Sequence, residues 1–491
     1  MREDVRAFLD RPKAILIGGE FVEKASGGTF TSEDPGLETA LAEVPAAEQA
    51  EVDAAVDAAR SAFEGEWAKM VPAGRAGCMF KLADLIYQNL DQLAQLEGLD
   101  TGKPAHIAAA LDIPFAAEVF KYYGGWATKV RGSTLDLALN PEQFHVYTRA
   151  EPVGVVAGVI PWNYPFAQAA FKIAPALAAG CTVILKPAEQ TPLTALRLAE
   201  LVVEAGFPAG TVNVLTGFGH TAGAALAAHH GVDKLTFTGS TDVGRLIAEA
   251  SAKSNLKRLT LELGGKSPVI IFADADMDKA IPAAAAAIFG NSGQVCNAGS
   301  RLFVEASAYD RVIEGVAEIG KGMQLGCAMN AGSELGPLMS ATQLQRVSSM
   351  VEEAQRAGVT VVSGGSQGGD KGYFFEPTVL TDMDPASSIA TDEIFGPVLC
   401  AMTFNDDDDI VAAANDTNFG LAASIWTGNP GRAHRVAHAV KAGAVWVNAF
   451  GVFDPNLPFG GYKESGWGRE FGIEGLNAFL ETKAVSMHIG A

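Results

Sequence analysis

Between Val153 and residue 251 the chain alternates short apolar, β-branched runs with stretches of helical spacing. VGVVAGVI, TVILKP, VNVLTG and KLTFTGS read as buried strands. The segments 166–179, 194–205, 222–228 and 243–251 read as the helices between them. A strand followed by a helix and another strand closes as a right-handed crossover onto a parallel neighbour. The rhythm therefore predicts an α/β, doubly wound, Rossmann-type nucleotide fold, with ligands at the strands' C-terminal ends.

The flanking segments add to this frame. Ile15 to Val22 reads as a hairpin around Gly18-Gly19, and 48–64, 72–98 and 103–127 as helices. Residues 132–151 read as two strands with a turn at Asn140-Pro141, and AVSMHIG at the end as one more strand. A second alternating region runs from LTLELGGKSPVIIF to about residue 470. The chain of 491 residues is too long for one ordinary core, so two large lobes are expected. The acidic string Asp406 to Asp409 reads as a solvated helix start.

Composition narrows the partners. The net charge of −21, from 36 basic and 57 acidic side chains, argues against nucleic acid and anionic membranes. The most apolar stretch, 167–185, is interrupted by Lys172 and Pro175, and MREDVRAFLDRPK lacks the apolar run of a signal peptide. Five scattered cysteines do not look like a disulfide framework. A cytoplasmic protein is expected. The eight histidines show no metal-binding spacing, and His434 and His438, sharing a helix face, read as surface residues, so no metal is expected.

Cys296 lies in a Gly- and Asn-rich loop, GNSGQVCNAGSR, of the kind that exposes a sulfur to a ligand. The other four cysteines read as inert buried thiols. Glu262 sits between Leu261 and Leu263, just before Gly264-Gly265, where burial would raise its pKa toward a general base's range. Lys186 and Glu189 follow a strand's C-terminal end, where nucleotides bind. No GxGxxG is present.

Seven segments in order resemble the aldehyde dehydrogenase superfamily over nearly the whole chain. They are PWNYPF (161–166), KPAEQTPLTA (186–195), FTGSTDVG (237–244), LELGGKSP (261–268), GQVCNAGSR (293–301), EIFGP (393–397) and PFGGYKESGWGRE (458–470). The resemblance implies an NAD-binding domain over 1–131 and 152–262, an α/β catalytic domain over 263–472, and a small β oligomerisation element from 132–151 and 473–491. It implies Cys296 as the nucleophile that forms a thioester, Glu262 as the base that activates the hydrolytic water, and Asn163 as an oxyanion donor. It implies cofactor contacts from Lys186, Glu189, Trp162, Ile160, Gly219, Phe237, Gly239, Ser240, Glu393 and Phe395. Glu189, an acid facing the adenine ribose, argues for NAD over its 2′-phosphorylated form. The CoA-acylating branch does not use the glutamate at 262.

The aldehyde tunnel, by the same resemblance, falls on Tyr164, Gln168, Phe171, Val295, Asn297, Phe453 and Phe459. An aromatic slot of this kind suits an aryl or medium-chain aldehyde, and the chain looks most like the phenylacetaldehyde dehydrogenase branch. Asn297 leaves room for a polar ring substituent. Betaine or amino aldehydes stand as alternatives; a cysteine esterase and a non-catalytic structural relative are the readings from other classes. The ribbon at 132–151, joined by the terminal strand, implies a homodimer or homotetramer.

Overall fold

The computed structural model describes residues 1–490, the side chain of Asp408 apart. Five parallel strands form the centre of the first sheet, in the spatial order Val212–Val214, Thr182–Lys186, Val155–Val159, Lys234–Thr238 and Arg258–Glu262. Strand laying thus proceeds outward one way from Val155–Val159, then starts again on its other side. This order makes the gap between Val155–Val159 and Lys234–Thr238 a topological switch point, the place where an open sheet leaves a crevice. The hairpin Ile15–Ile17 and Glu20–Val22, turned by Gly18 and Gly19 at φ 61° and 87°, extends one edge antiparallel. Gly466–Trp467 extends the other.

Side chains alternate across this sheet and divide its two covers. Val156, Val183 and Leu185 pack under the helices Pro72–Gln88, Ile113–Trp126, Pro165–Ala179 and Leu193–Ala205. Val155, Ala157, Ile184, Leu235 and Leu261 face Gln49–Glu64, Ala224–Ala228 and Thr241–Lys253. Each such buried aliphatic side chain contributes about 1.5–3 kcal/mol. Pro165–Ala179 is buried nearly all round, as its composition requires.

The chain changes sheets between Glu262 and Pro268. The second sheet runs Thr360–Ser363, Thr378–Thr381, Val398–Phe404, Arg301–Glu305, Pro268–Ile271, Ala422–Trp426 and Ala444–Val447, parallel except for its first strand. A third, three-stranded sheet pairs Leu480–His488 along the full length of Phe144–Pro152, which in turn pairs Thr134–Leu135. The terminal strand therefore joins the 132–151 ribbon as expected.

Three expected elements differ. The helix read over 72–98 breaks into Pro72–Gln88 and Leu90–Thr101. At the break Asn89 donates its side-chain amide to the Leu85 carbonyl at 2.8 Å and accepts from Arg197 at 2.9 Å. An asparagine competing for backbone groups ends a helix without Gly or Pro. The helix read over 103–127 contains a π turn, Ala108–Asp112, ahead of Ile113–Trp126. Pro114 cannot donate to a carbonyl four residues back, and the widened turn accommodates it. A second π turn, Gly219–Gly223, opens the helix expected at 222–228. Asp407 at the acidic helix start is not simply solvated, since it pairs with Arg432 and Arg435. Among the described residues no helix is long and apolar enough to cross a membrane.

Candidate active site

A cavity of about 1610 Å³ opens at the switch point. Trp162, Asn163 and Tyr164 enter it from the end of Val155–Val159, and Gly239 and Ser240 from the end of Lys234–Thr238. Ser240 caps the helix Thr241–Lys253, its Oγ accepting from the Val243 N–H at 3.3 Å. The other first-turn amides and the helix dipole favour an anionic group there. A Cβ on Gly239 would stand 2.3 Å from the end of the Phe237 ring, which would have to shift.

Cys296 reaches the same cavity from the loop after Met277–Phe289. Asn291 and Ser292 adopt left-handed backbone, φ 50° and 55°, to turn the chain. The loop is then fixed at both ends. Ser292 Oγ donates to the Gly336 carbonyl at 2.7 Å, and Gln294 Oε1 accepts from the Met339 N–H at 2.8 Å. The Gln294 carbonyl accepts from Asn163 Nδ2 at 2.9 Å, which sets the plane of that amide and leaves its second N–H uncommitted. Cys296 is partly exposed, but so are Cys78 and Cys327; only Cys181 and Cys400 are the buried thiols expected of all four. Burial raises the Cys296 thiol pKa, and Glu393 and Glu262 raise it further.

Glu262 ends Arg258–Glu262 and is buried with neither carboxyl oxygen hydrogen-bonded. Burial pushes its pKa well above the carboxylate range, the charge of Glu470 adds to this, and Lys172 and Arg469 oppose it. A Cβ at Gly460 would stand 2.6 Å from its Oε1, so glycine there gives the carboxyl its space. Lys172 pairs with Glu470 and donates to Thr238 Oγ1 at 2.6 Å. Sequence reasoning missed this pair: Lys172 appeared only as an interruption in an apolar run, and its partner lies 298 residues away.

Gly264 and Gly265 serve close approach rather than flexibility. A Cβ on the first would strike the Glu393 carboxylate, and on the second the Cys296 carbonyl. The Gly265 N–H donates to Glu393 Oε1 at 3.1 Å. Burial lifts the Glu393 pKa to about 7. Phe395, at φ 58°, sets its ring edge-on to Trp162 with centroids 5.2 Å apart.

Six residues expected at the site do not line the cavity: Ile160, Lys186, Glu189, Gly219, Phe237 and Glu262. Ile160 donates its N–H to the Lys186 carbonyl at 3.1 Å. Lys186 is buried, donates to the Pro187 carbonyl at 2.8 Å and stands 3.7 Å from Glu189. Burial lowers its pKa to about 8. Gly219 opens the π turn beside them.

The remaining wall is aromatic. Phe171 meets Phe471 at 4.7 Å and Phe115 at 5.7 Å, both edge-on. Phe453 packs on Phe459 at 5.3 Å. The Tyr164 ring covers Lys103 Nζ at 3.7 Å, and Lys103 pairs with the buried Asp112. Gln168, Val295 and Asn297 complete the slot. Phe115 and Phe471 were not foreseen; nothing in their local sequence distinguishes them from core. His434 and His438 face each other at 6.4 Å, and no metal-holding group of His, Cys, Asp or Glu exists among the described residues.

Comparison with known proteins gives a consistent result. The sequence model of the aldehyde dehydrogenase family matches residues 21–485. An aldehyde dehydrogenase of Enchytraeus buchholzi is 50% identical, over 96% of this chain and 95% of its own. The aldehyde dehydrogenase of Bacillus cereus, solved as its NAD⁺ complex, superposes with a TM-score of 0.98 at 46% identity, covering 100% and 99% of the two chains. Betaine aldehyde dehydrogenase of Staphylococcus aureus reaches 0.94 at 38% identity, covering 97% of each. A match of this extent, together with a part-exposed cysteine and an asparagine amide that line one cavity and a buried, unpaired glutamate, leaves one conclusion: the chain belongs to the aldehyde dehydrogenase family.

Proposed function

We propose that this NAD-dependent aldehyde dehydrogenase oxidises arylalkyl aldehydes, of the phenylacetaldehyde kind, to their carboxylic acids. The observation that carries the substrate reading is the pair of aromatic clusters, Phe115/Phe171/Phe471 and Phe453/Phe459, that walls the cavity beside Cys296. Edge-to-face partners of this kind favour a flat ring over a flexible chain by about 0.5–1.5 kcal/mol per contact.

The Cys296 thiol gives up its proton to water, and Sγ adds to the aldehyde carbon to give a thiohemiacetal. Its oxyanion meets the free N–H of Asn163 and the Cys296 backbone N–H. One such donor is worth about 3–4 kcal/mol. Loss of hydride leaves a thioester on Cys296. Glu262 takes a proton from water as the water oxygen attacks the thioester carbon; the C–S bond breaks, the acid leaves, and the proton held by Glu262 passes to the Cys296 thiolate. A raised pKa suits that step, because a stronger base holds the proton better.

The residues present fit NAD. The Ser240 helix terminus and the glycine at 239 make a cradle for a pyrophosphate, Lys186 and Glu189 suit the adenine ribose, and Glu393 and Phe395 the nicotinamide end. When bound, NAD supplies the hydride acceptor. Glu189→Ser is expected to narrow the preference for NAD over its 2′-phosphorylated form by roughly tenfold or more, since like charges brought together cost several kcal/mol. A wild-type enzyme that favours the phosphorylated form refutes this placement.

Nicotinamide absorbance, followed with phenylacetaldehyde, hexanal and betaine aldehyde, tests the substrate. The aryl compound should have the highest kcat/KM; a clear preference for either of the others rejects the reading.

The ribbon supports self-association. Leu135, Leu139, Met487 and Ile489 are exposed on it, and a three-stranded ribbon with bare edges needs cover. A homodimer, or a tetramer of paired dimers, supplies it. Deleting residues 484–491 is expected to lower both the assembly state and the melting temperature. Light scattering that finds a stable, active monomer of the full chain would overturn this.

A further inference from the structure

The helix Pro165–Ala179 begins without a cap of its own. Tyr164 stands at the N-cap, where its side chain makes no capping bond, and Pro165 has no N–H. The first free amide is therefore that of Phe166, deep in the core. It is met from another helix. Glu97, on Leu90–Thr101 and wholly buried, sets its carboxyl astride the Phe166 N–H, with Oε2 at 3.3 Å and Oε1 at 3.5 Å. Lys103, just past the end of the same helix, places its Nζ 3.7 Å from the centre of the Tyr164 ring. The stretch from Glu97 to Lys103 thus grips the start of Pro165–Ala179 at two points, Tyr164 and Phe166.

Asn163 lies one residue further back. The Tyr164 carbonyl accepts from the Gln168 N–H at 2.9 Å, so Tyr164 already moves with the helix. A single residue's backbone rotation then separates the helix from Asn163. On its other side Asn163 is tied to the Cys296 loop. Its Nδ2 donates to the Gln294 carbonyl at 2.9 Å, and its own carbonyl accepts from Asn291 Nδ2 at 3.2 Å. The asparagine therefore bridges a helix end and the nucleophile loop, and its amide is aimed only while the two stay in register.

We propose that Glu97 is a positioning residue for the oxyanion donor: by fixing the first turn of Pro165–Ala179 it holds the free N–H of Asn163 where the oxyanion forms. This rests on the reading of Asn163 given above. Glu97 itself does not line the cavity, so it acts only through the helix end. What holds Phe166 is an acceptor oxygen rather than a charge. Burial raises the Glu97 pKa to about 8, the charge of Lys103 opposing and that of Asp112 adding, so the neutral acid prevails near neutrality.

The test is a double-mutant cycle read in single turnovers of NADH formation, with saturating NAD, enzyme in excess over aldehyde, and thermal melting as the check on folding. Asn163→Ala should slow the turnover by about 10²–10³-fold, the usual loss of one oxyanion donor. Glu97→Met, close in volume but without the acceptor, should slow it by roughly tenfold or more, because a misplacement of about 1 Å at a catalytic group costs up to about 10²-fold. Glu97→Gln keeps an acceptor oxygen at the same reach and should restore most of the rate. In the Asn163→Ala background Glu97→Met should slow the reaction by less than about twofold, since no donor remains to be misplaced. Equal slowing in both backgrounds overturns the proposal, as does a Glu97→Met enzyme as fast as the wild type. Where Glu97→Met does not fold, Glu97→Asp, which draws the oxygens back by one methylene, carries the same comparison. If that variant also fails to fold, Glu97 is a structural residue and the proposal falls. In each of these cases a slow Asn163→Ala leaves the oxyanion reading standing. An Asn163→Ala enzyme at the wild-type rate overturns that reading and this inference with it.

Discussion

Cys296→Ala is expected to lower aldehyde oxidation by at least about 10⁴-fold while the protein still folds and binds NAD. The magnitude follows from covalent catalysis: an aldehyde gives up hydride only after a nucleophile adds to its carbonyl, and no other side chain lining the cavity is a thiol. Folding should survive because the residue is part-exposed at a cavity wall and makes no hydrogen bond that the loop depends on. The loop is held instead by Ser292, Gln294 and Asn163. Cofactor affinity, read by fluorescence titration, should be close to wild type. Replacing Cys181 or Cys400 reverses the pattern. Both are fully buried, so alanine there costs about 1–3 kcal/mol of stability and leaves the chemistry intact. Measurable steady-state turnover by Cys296→Ala, beyond a trace, would sink the covalent mechanism. The same geometry bears on reagents. Burial and three neighbouring acids, Glu393, Glu262 and Glu470, push the Cys296 thiol up, so alkylation of the free enzyme should be slow at neutral pH and accelerate as pH rises.

What the sequence discloses about this protein is what is local. The strand and helix rhythm after Val153 carries the parallel sheet because each buried strand is a short β-branched run whose period needs no distant partner. The loop around Cys296 is legible for the same reason: the glycines and asparagines that let Asn291 and Ser292 adopt left-handed backbone lie beside the cysteine. What stays hidden is pairing across distance. Glu470 and Lys172 form the charge environment of Glu262, yet they come from segments 298 residues apart. Phe115 and Phe171 share a wall although they lie on different helices. The break at Asn89 is invisible because it depends on Arg197, which supplies the second hydrogen bond from another helix. Gly264 and Gly265 mislead in a different way. Glycine pairs suggest freedom, but here each admits a neighbour, Glu393 in one case and the Cys296 carbonyl in the other.

Glu262→Gln is expected to show a burst of NADH of about one equivalent per active subunit, followed by a steady state lower by roughly 10²–10⁴-fold, the usual loss when one general base is removed. The burst survives because addition by Cys296 and departure of hydride do not need a base at water. The thioester then persists because the amide cannot accept a proton. Structural damage does not explain such a result. Neither carboxyl oxygen of Glu262 has a hydrogen bond to lose, and the amide has nearly the same volume. The sign of the pH dependence separates the two causes further. The folded Glu262 pKa lies above its unfolded value of about 4.3, through burial first and Glu470 second. A carboxyl of that kind holds its proton more tightly folded than unfolded, so it lowers stability as pH rises above the unfolded pKa, and the loss is complete once the pH passes the folded pKa. Glutamine has no such charge. The variant should therefore melt at or above the wild-type temperature near neutrality and gain further at alkaline pH, even as its turnover collapses. In the wild type the base form grows as pH rises through the raised pKa, which gives deacylation a rising limb that the variant lacks. Normal steady-state turnover by Glu262→Gln would place the base elsewhere. A variant that also loses the burst would give Glu262 the earlier task of taking the thiol proton from Cys296, whose own pKa that same carboxylate helps to raise.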